Sequence, residues 1–121
     1  MGSKDRSIFR RGADGLRGLR QGWRREQSLR TQVALSITAF GLVLILQPPI
    51  VWQLALAVSL TVGFAAELLN ASIEALLDRL HPDHDAEIGV AKDLGSASVL
   101  VVNCTSTAIF AGALLASLVR L

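Results

Sequence analysis

Three long apolar segments constrain the fold of this chain more than any other feature. They are residues 33–46, 50–66 and 97–119. The third carries no charged residue and exceeds the length of about 20 residues that a helix needs to cross a bilayer. Inside lipid, each backbone N–H and C=O needs a partner within the protein, and no alternating strand pattern is visible, so each segment is predicted to be helical. The sequence therefore predicts an all-α integral membrane fold with three transmembrane helices.

The composition agrees with a membrane protein of one domain. Hydrophobic residues make up 51% of the 121 residues and charged residues only 18%, which is too apolar for an ordinary soluble domain. The first apolar segment follows a charged stretch and has no small-residue cleavage pattern, so we expect no signal peptide. The single Cys104 excludes an internal disulfide, and its apolar neighbourhood predicts a packing role.

Positive charge is concentrated before the first apolar segment. Residues 1–30 hold nine of the twelve Lys and Arg residues, and the positive-inside rule then predicts a cytoplasmic N-terminus. Apolar side chains among these arginines favour a basic amphipathic helix on the membrane surface, although five glycines leave a loosely ordered tail as the alternative. Membrane topology accounts for the basic residues, so no nucleic-acid partner is expected.

The expected organisation is one membrane domain over residues 1–121. Its parts are a basic surface helix (5–30), a first span (31–47), a second span with a cytoplasmic extension (50–80), a cytoplasmic loop (81–92) and a third span (93–119). Three spans place the C-terminus on the side of the membrane opposite the N-terminus. In the third span, Ala108, Gly112 and Ala116 form a row of small residues that favours close helix packing.

A polar stripe is predicted where the second span leaves the membrane. At 100° per residue, Glu67, Asn70, Glu74 and Asp78 fall within an arc of about 80°. If the helix starts near Ile50, Glu67 lies about 25 Å along its axis, close to the edge of a hydrocarbon core about 30 Å thick.

Ionisable groups at that depth favour a functional role. Carboxylates one turn apart suit Mg²⁺ delivered with nucleotide phosphates, and a carboxylate at the membrane edge can act as a general base toward a lipid hydroxyl. The alternative is a purely structural polar seam joined by interhelical hydrogen bonds.

A second polar cluster follows in the segment GVAKDLGSAS. Lys92 and Ser96 are four residues apart and share a helix face, where a lysine near a helix N-terminus can bind phosphate oxygens. The alternative is a Lys side chain that extends toward water beside a helix-capping Asp93. Glu26, taken alone, is expected to be a solvated charge paired to Arg30.

The motifs AELLNASIEALLDR and AKDLGSASVL together resemble the signature of the prokaryotic diacylglycerol kinase family. The similarity extends over about residues 15–119 and includes GLRQGWRREQSLR before the first span. The resemblance implies a homotrimeric bundle of three-span subunits, each with an N-terminal amphipathic surface helix, and active sites between subunits at the cytoplasmic membrane edge. It also implies transfer of the ATP γ-phosphate to diacylglycerol, which gives phosphatidic acid, with ATP and Mg²⁺ required.

The resemblance further implies roles for individual residues. Glu67 matches the general base, and Asn70, Lys92 and Asp93 match residues at the reacting centre. Glu26 and Glu74 match the acids that hold the metal. The other expected nucleotide contacts are Asp78, Gly89 and Arg11. The expected lipid contacts, besides Glu67, are Ser96, Trp23 and Arg30, while Gly95 completes the motif.

The same residues are compatible with two other functions. A kinase that acts on undecaprenol or another polyprenol would use the same residues. A non-catalytic oligomeric membrane protein would use the acidic stripe only as a seam between helices.

Overall fold

The computed structural model describes residues 7–83 and 85–119, and these residues form four helices joined by short connections. The helices are α1 (Ile8–Arg25), α2 (Gln27–Leu46), α3 (Ile50–Leu80) and α4 (Ala86–Val119). No strand occurs in the described part of the chain. By length and composition α2, α3 and α4 can each cross a membrane, which confirms the all-α fold with three candidate spans.

The first helix is shorter than the predicted surface helix over 5–30. Residues 5 and 6 lie outside the described range, and α1 ends at Arg25 because Glu26 has an extended backbone (φ −112°, ψ 107°). The last carbonyl groups of a helix have no partner inside it. Here Arg30 of α2 reaches back and donates to the carbonyl oxygens of Trp23 and Arg24. The expected Glu26–Arg30 ion pair is therefore wrong, and Arg30 belongs to the first span.

A sharp turn joins α2 to α3. Gln47 adopts the left-handed conformation (φ 51°) and its N–H donates to the Val43 carbonyl at 2.9 Å, a common way to end a helix. Pro48 and Pro49 cannot extend α2 because proline lacks a backbone donor. The Pro48 carbonyl accepts a 2.9 Å bond from Gln53 Nε2, so α3 starts immediately after the turn.

The connection between α3 and α4 is shorter than the predicted loop over 81–92. Pro82 follows the end of α3, and α4 already begins at Ala86. The Asp85 carboxylate accepts the backbone N–H of Ile88 at 2.9 Å, which is the usual N-cap arrangement. Lys92 therefore lies well inside α4, and the alternative in which Asp93 caps the helix is wrong.

The spans pack around a small apolar core. Val43, Leu56 and Ala113, one from each span, are fully buried. A Cβ at Gly112 would overlap the ring of Trp52, so this glycine of the small-residue row serves packing within one protomer. Cys104 is exposed; its predicted packing role is wrong within the protomer, because that side of α4 faces away from α2 and α3.

Hydrogen bonds between polar side chains also join the spans within their apolar segments. Gln32 and Asn103 exchange two hydrogen bonds, from Gln32 Nε2 to Asn103 Oδ1 at 2.9 Å and from Asn103 Nδ2 to Gln32 Oε1 at 3.2 Å. Ser59 and Ser106 bond through their hydroxyls at 2.5 Å. These pairs satisfy polar groups that lipid could not, and they hold α4 against both α2 and α3.

Candidate active site

The predicted polar stripe lies in the carboxyl-terminal half of α3. Glu67 and Asn70 are buried, each about 7% exposed, whereas Glu74 is half-buried and Asp78 is exposed. The exposure thus rises along the helix from the apolar core outward. Buried carboxylate and amide groups need hydrogen-bond partners, and the partners of this stripe come from α2, α3 and α4.

Glu67 is bonded to a residue that the sequence did not single out. The Ser28 hydroxyl on α2 donates to Glu67 Oε1 at 2.8 Å. Ser28 stands two positions after Glu26, in the first turn of α2. The N-cap of α2 is Glu26, so Ser28 does not occupy the position where a serine caps a helix. No local pattern reveals that it reaches a carboxylate 39 residues away.

Asn70 connects the stripe to α4. Its Nδ2 donates to Glu74 Oε1 at 2.9 Å, one helical turn further on. Its Oδ1 is buried without a hydrogen-bond partner in the described part of the chain, and a Cβ at Gly95 would overlap this oxygen. Gly95 therefore lets α4 approach Asn70 closely, and the sequence motif that contains Gly95 does meet the stripe.

Lys92 and Asp78 form an ion pair at the outer end of the stripe. Lys92 Nζ lies 2.5 Å from Asp78 Oδ1. The Asp78 side chain is 63% exposed and that of Lys92 25%, so a solute can reach the pair from water. Bonds between exposed charges are weak, and Lys92 can exchange this partner for a stronger anion such as phosphate.

Other predicted site residues lie apart from this cluster in the single protomer. Asp93 and Ser96 are on the exposed side of α4, and a Cβ at Gly89 would meet nothing within 4 Å. Arg11 is exposed on α1. Trp23 is 47% exposed and borders a groove between α1, α2 and α3 that also includes Leu29, Val33 and Phe64.

The two expected metal ligands belong to different parts of the fold. Glu26 is half-buried at the junction of α1 and α2, whereas Glu74 lies on α3 beside Asn70. Within 7–83 and 85–119, no three His, Cys, Asp or Glu side chains are grouped closely enough to enclose a metal ion. Glu74 nevertheless keeps one carboxylate oxygen outside its bond to Asn70, and carboxylates are the protein ligands that Mg²⁺ combines with substrate phosphates.

The arrangement therefore joins an apolar environment to an exposed, charged one along a single helix face. A buried carboxylate such as that of Glu67 can accept a proton, a carboxylate such as that of Glu74 can bind a hard cation, and the Lys92 ammonium can bind an anionic group. These are the groups that phosphoryl transfer requires, since its catalysis depends on alignment and on neutralising charge.

Comparison with known proteins identifies the family of the chain. The model of the family "Prokaryotic diacylglycerol kinase" matches residues 14–115. A diacylglycerol kinase of Escherichia coli (strain K12) is 32% identical over 85 residues, which cover 70% of each chain. A diacylglycerol kinase of Haemophilus influenzae is 29% identical over 99 residues, which cover 82% of this chain and 84% of the relative. The chain therefore belongs to the prokaryotic diacylglycerol kinase family.

Proposed function

We propose that the chain is an ATP-dependent diacylglycerol kinase of the bacterial inner membrane. It transfers the γ-phosphate of ATP to the free hydroxyl of diacylglycerol, and the products are ADP and phosphatidic acid. One observation carries the proposal. A buried carboxylate, Glu67, shares one face of α3 with the exposed Asp78, which pairs with Lys92 of α4, so groups suited to a lipid alcohol and to a water-soluble nucleotide lie along the same face of α3.

Glu67 is proposed as the general base. The lipid oxygen attacks the γ-phosphorus, the bond from that phosphorus to the ADP oxygen breaks, and the hydroxyl proton passes to the Glu67 carboxylate. A base acts in this way only when it lies within hydrogen-bond reach of the proton. The position of Glu67 near the apolar end of the stripe suits a substrate hydroxyl held at the membrane boundary.

The phosphates are proposed to bind further out along the stripe. Lys92 leaves Asp78 and pairs with phosphate oxygens, and Asn70 holds the Glu74 carboxylate in place through the bond from its Nδ2. Asp93, Gly89 and Arg11 are proposed to complete the nucleotide site, and Ser96 and Trp23 the lipid site. For Arg30 we propose instead a role at the α1–α2 junction, because its guanidinium is occupied by backbone carbonyls.

Mg²⁺ is proposed to bind with the nucleotide. Glu74 and Glu26 would hold it through their carboxylates, and bound there it would neutralise charge on the transferred phosphoryl group. Two protein carboxylates suffice because Mg²⁺ takes its remaining ligands from phosphates and water.

The active unit is proposed to be a homotrimer with composite sites. Most large apolar side chains of α2, α3 and α4 are exposed in a single protomer, which suits burial against lipid or further copies. Asp93 and Ser96 are exposed in a single protomer, as residues that serve a neighbouring site would be. In this arrangement the N-terminus is cytoplasmic and the C-terminus periplasmic, as the basic residues favour.

The decisive experiment measures phosphate transfer to defined lipids. The purified full-length protein is incubated with Mg²⁺ and labelled ATP in mixed micelles that contain either diacylglycerol or undecaprenol. We expect labelled phosphatidic acid, and a loss of about 100-fold or more in kcat for Glu67→Gln, which preserves shape but removes the base. Gly41→Ala, at an open position of α2, serves as the control and should keep full activity.

The outcomes separate the candidate functions. Transfer only to undecaprenol would make the protein a polyprenol kinase. Transfer to neither lipid would support a non-catalytic role, and full activity of Glu67→Gln would refute the role of Glu67.

A further inference from the structure

Ser28 supplies the hydrogen bond that holds the buried Glu67 carboxylate. Its hydroxyl donates to Oε1 at 2.8 Å, and the two residues lie on different helices. A side-chain hydroxyl has a single proton to donate, and here that proton is directed at Glu67. The hydrogen bond therefore joins the first turn of α2 to the face of α3 that carries the polar stripe.

The bond restricts the direction in which the carboxylate points. The terminal torsion of a glutamate side chain has broad minima, so packing alone orients a carboxylate poorly. With Oε1 held by Ser28, the second oxygen of Glu67 has a defined direction and stays available for an incoming hydroxyl. Alignment of reacting groups at this level contributes strongly to enzymatic rates, and displacements of about 1 Å are costly.

The turn of α2 that carries Ser28 is itself anchored. Arg30, two residues later, donates to the carbonyl oxygens of Trp23 and Arg24 at the end of α1, and Leu29 between them is only 1% exposed. The backbone that carries Ser28 is thus held by the Arg30 bonds to α1 and by the burial of Leu29. A hydroxyl on such a backbone can position another side chain, whereas one on a freely moving terminus cannot.

We propose that Ser28 is a positioning residue of the kinase reaction, which orients the Glu67 carboxylate toward the hydroxyl of the lipid acceptor. This inference rests on the proposed function, because it gives Ser28 a role only through the base. Ser28 itself takes no proton from the substrate and receives no phosphate.

The test compares variants of the full-length protein in the diacylglycerol assay. Ser28→Ala should lower kcat for lipid phosphorylation about tenfold, with KM for ATP changed less than about twofold, because the nucleotide groups lie further along the stripe. Ser28→Thr retains the hydroxyl and should restore most of the rate. Thr31→Ala removes a hydroxyl from an exposed position in the same part of α2 and should leave kcat unchanged.

A double-mutant cycle distinguishes positioning from a general loss of structure. Glu67→Ala removes the group through which Ser28 acts, so adding Ser28→Ala to it should lower the residual rate no further. A tenfold loss that persists without Glu67, failure of Ser28→Thr to restore the rate, or a wild-type kcat for Ser28→Ala would each overturn the inference.

The failure of this inference can be told from failure of the proposed function. Active wild-type enzyme with an unaffected Ser28→Ala variant refutes only the positioning role. Wild-type protein that phosphorylates no lipid refutes both.

Discussion

Gly95 of α4 packs directly against the side-chain amide of Asn70 on α3, so that a Cβ at position 95 would overlap Asn70 Oδ1. The other side of the same amide donates to Glu74. The closest approach of α4 to the polar stripe therefore determines where Asn70 can lie, and Asn70 in turn orients a carboxylate proposed to hold the metal.

Gly95→Ala should reduce kinase activity by displacing Asn70. The added methyl group requires the amide to move and breaks or weakens its bond to Glu74, so we expect kcat to fall at least about tenfold. The measurement is the diacylglycerol assay with saturating Mg-ATP. Gly41→Ala is the matched control, because a Cβ there meets nothing within 4 Å. Equal activity of the two variants would show that the Gly95 contact does not matter.

Glu74→Gln should raise the Mg²⁺ concentration needed for half-maximal activity. Loss of one of the anionic ligands weakens a hard cation site, and a shift of about tenfold corresponds to about 1.4 kcal/mol. Activity should be titrated against free Mg²⁺ at fixed ATP, and a chelator should abolish it in both proteins. An unchanged Mg²⁺ dependence would remove Glu74 from the metal site. Gly41→Ala again serves as the control.

Asp78→Asn and Lys92→Met should have different effects, although they break the same ion pair. The pair is exposed enough that either change should alter the free energy of unfolding by less than about 1 kcal/mol. Lys92→Met removes a cation proposed to bind phosphate and should lower kcat/KM for ATP about 100-fold or more, whereas Asp78→Asn should have a several-fold effect. Equal losses from both variants would indicate that the pair acts only as a structural link.

Gln32 and Asn103 should stabilise the spans as a unit. Replacing one amide with Leu leaves the other without its partner in an apolar environment, at a cost of about 1–3 kcal/mol. The double variant Gln32→Leu/Asn103→Leu should recover part of that loss, and the coupling expected in a membrane is about 1 kcal/mol. The stability of the wild type, both single variants and the double variant is measured by thermal inactivation in detergent. Additive losses would contradict the reciprocal pairing.

Gly112→Leu should destabilise the protomer because the Trp52 ring occupies the space beside this glycine. Overpacking of this kind costs about 1–3 kcal/mol, which should lower the midpoint of thermal unfolding. Gly41→Leu tests the same substitution at an open position of α2. If both variants unfold at the same temperature, the Trp52 contact is not a significant part of the packing.

The predicted helix ends differ from the observed ones where side chains from elsewhere stabilise them. The surface helix was expected to continue to residue 30, but it ends at Arg25 because Arg30 of α2 satisfies the exposed carbonyls of α1. The loop over 81–92 was expected to be long, but Asp85 starts α4 early. Both errors come from capping by one side chain, Arg30 at the end of α1 and Asp85 at the start of α4, which changes a boundary without changing the apolar pattern.

Local regularities of the sequence by themselves determined the three helical spans and the polar stripe of Glu67, Asn70, Glu74 and Asp78. Apolar length and the helical period involve only residues close together in the chain, so both can be read without a structure. Only the tertiary structure decided which residues meet that stripe. Ser28 contacts Glu67 across 39 residues and Gln32 contacts Asn103 across 71, and such pairings depend on how the helices pack, which no local periodicity specifies.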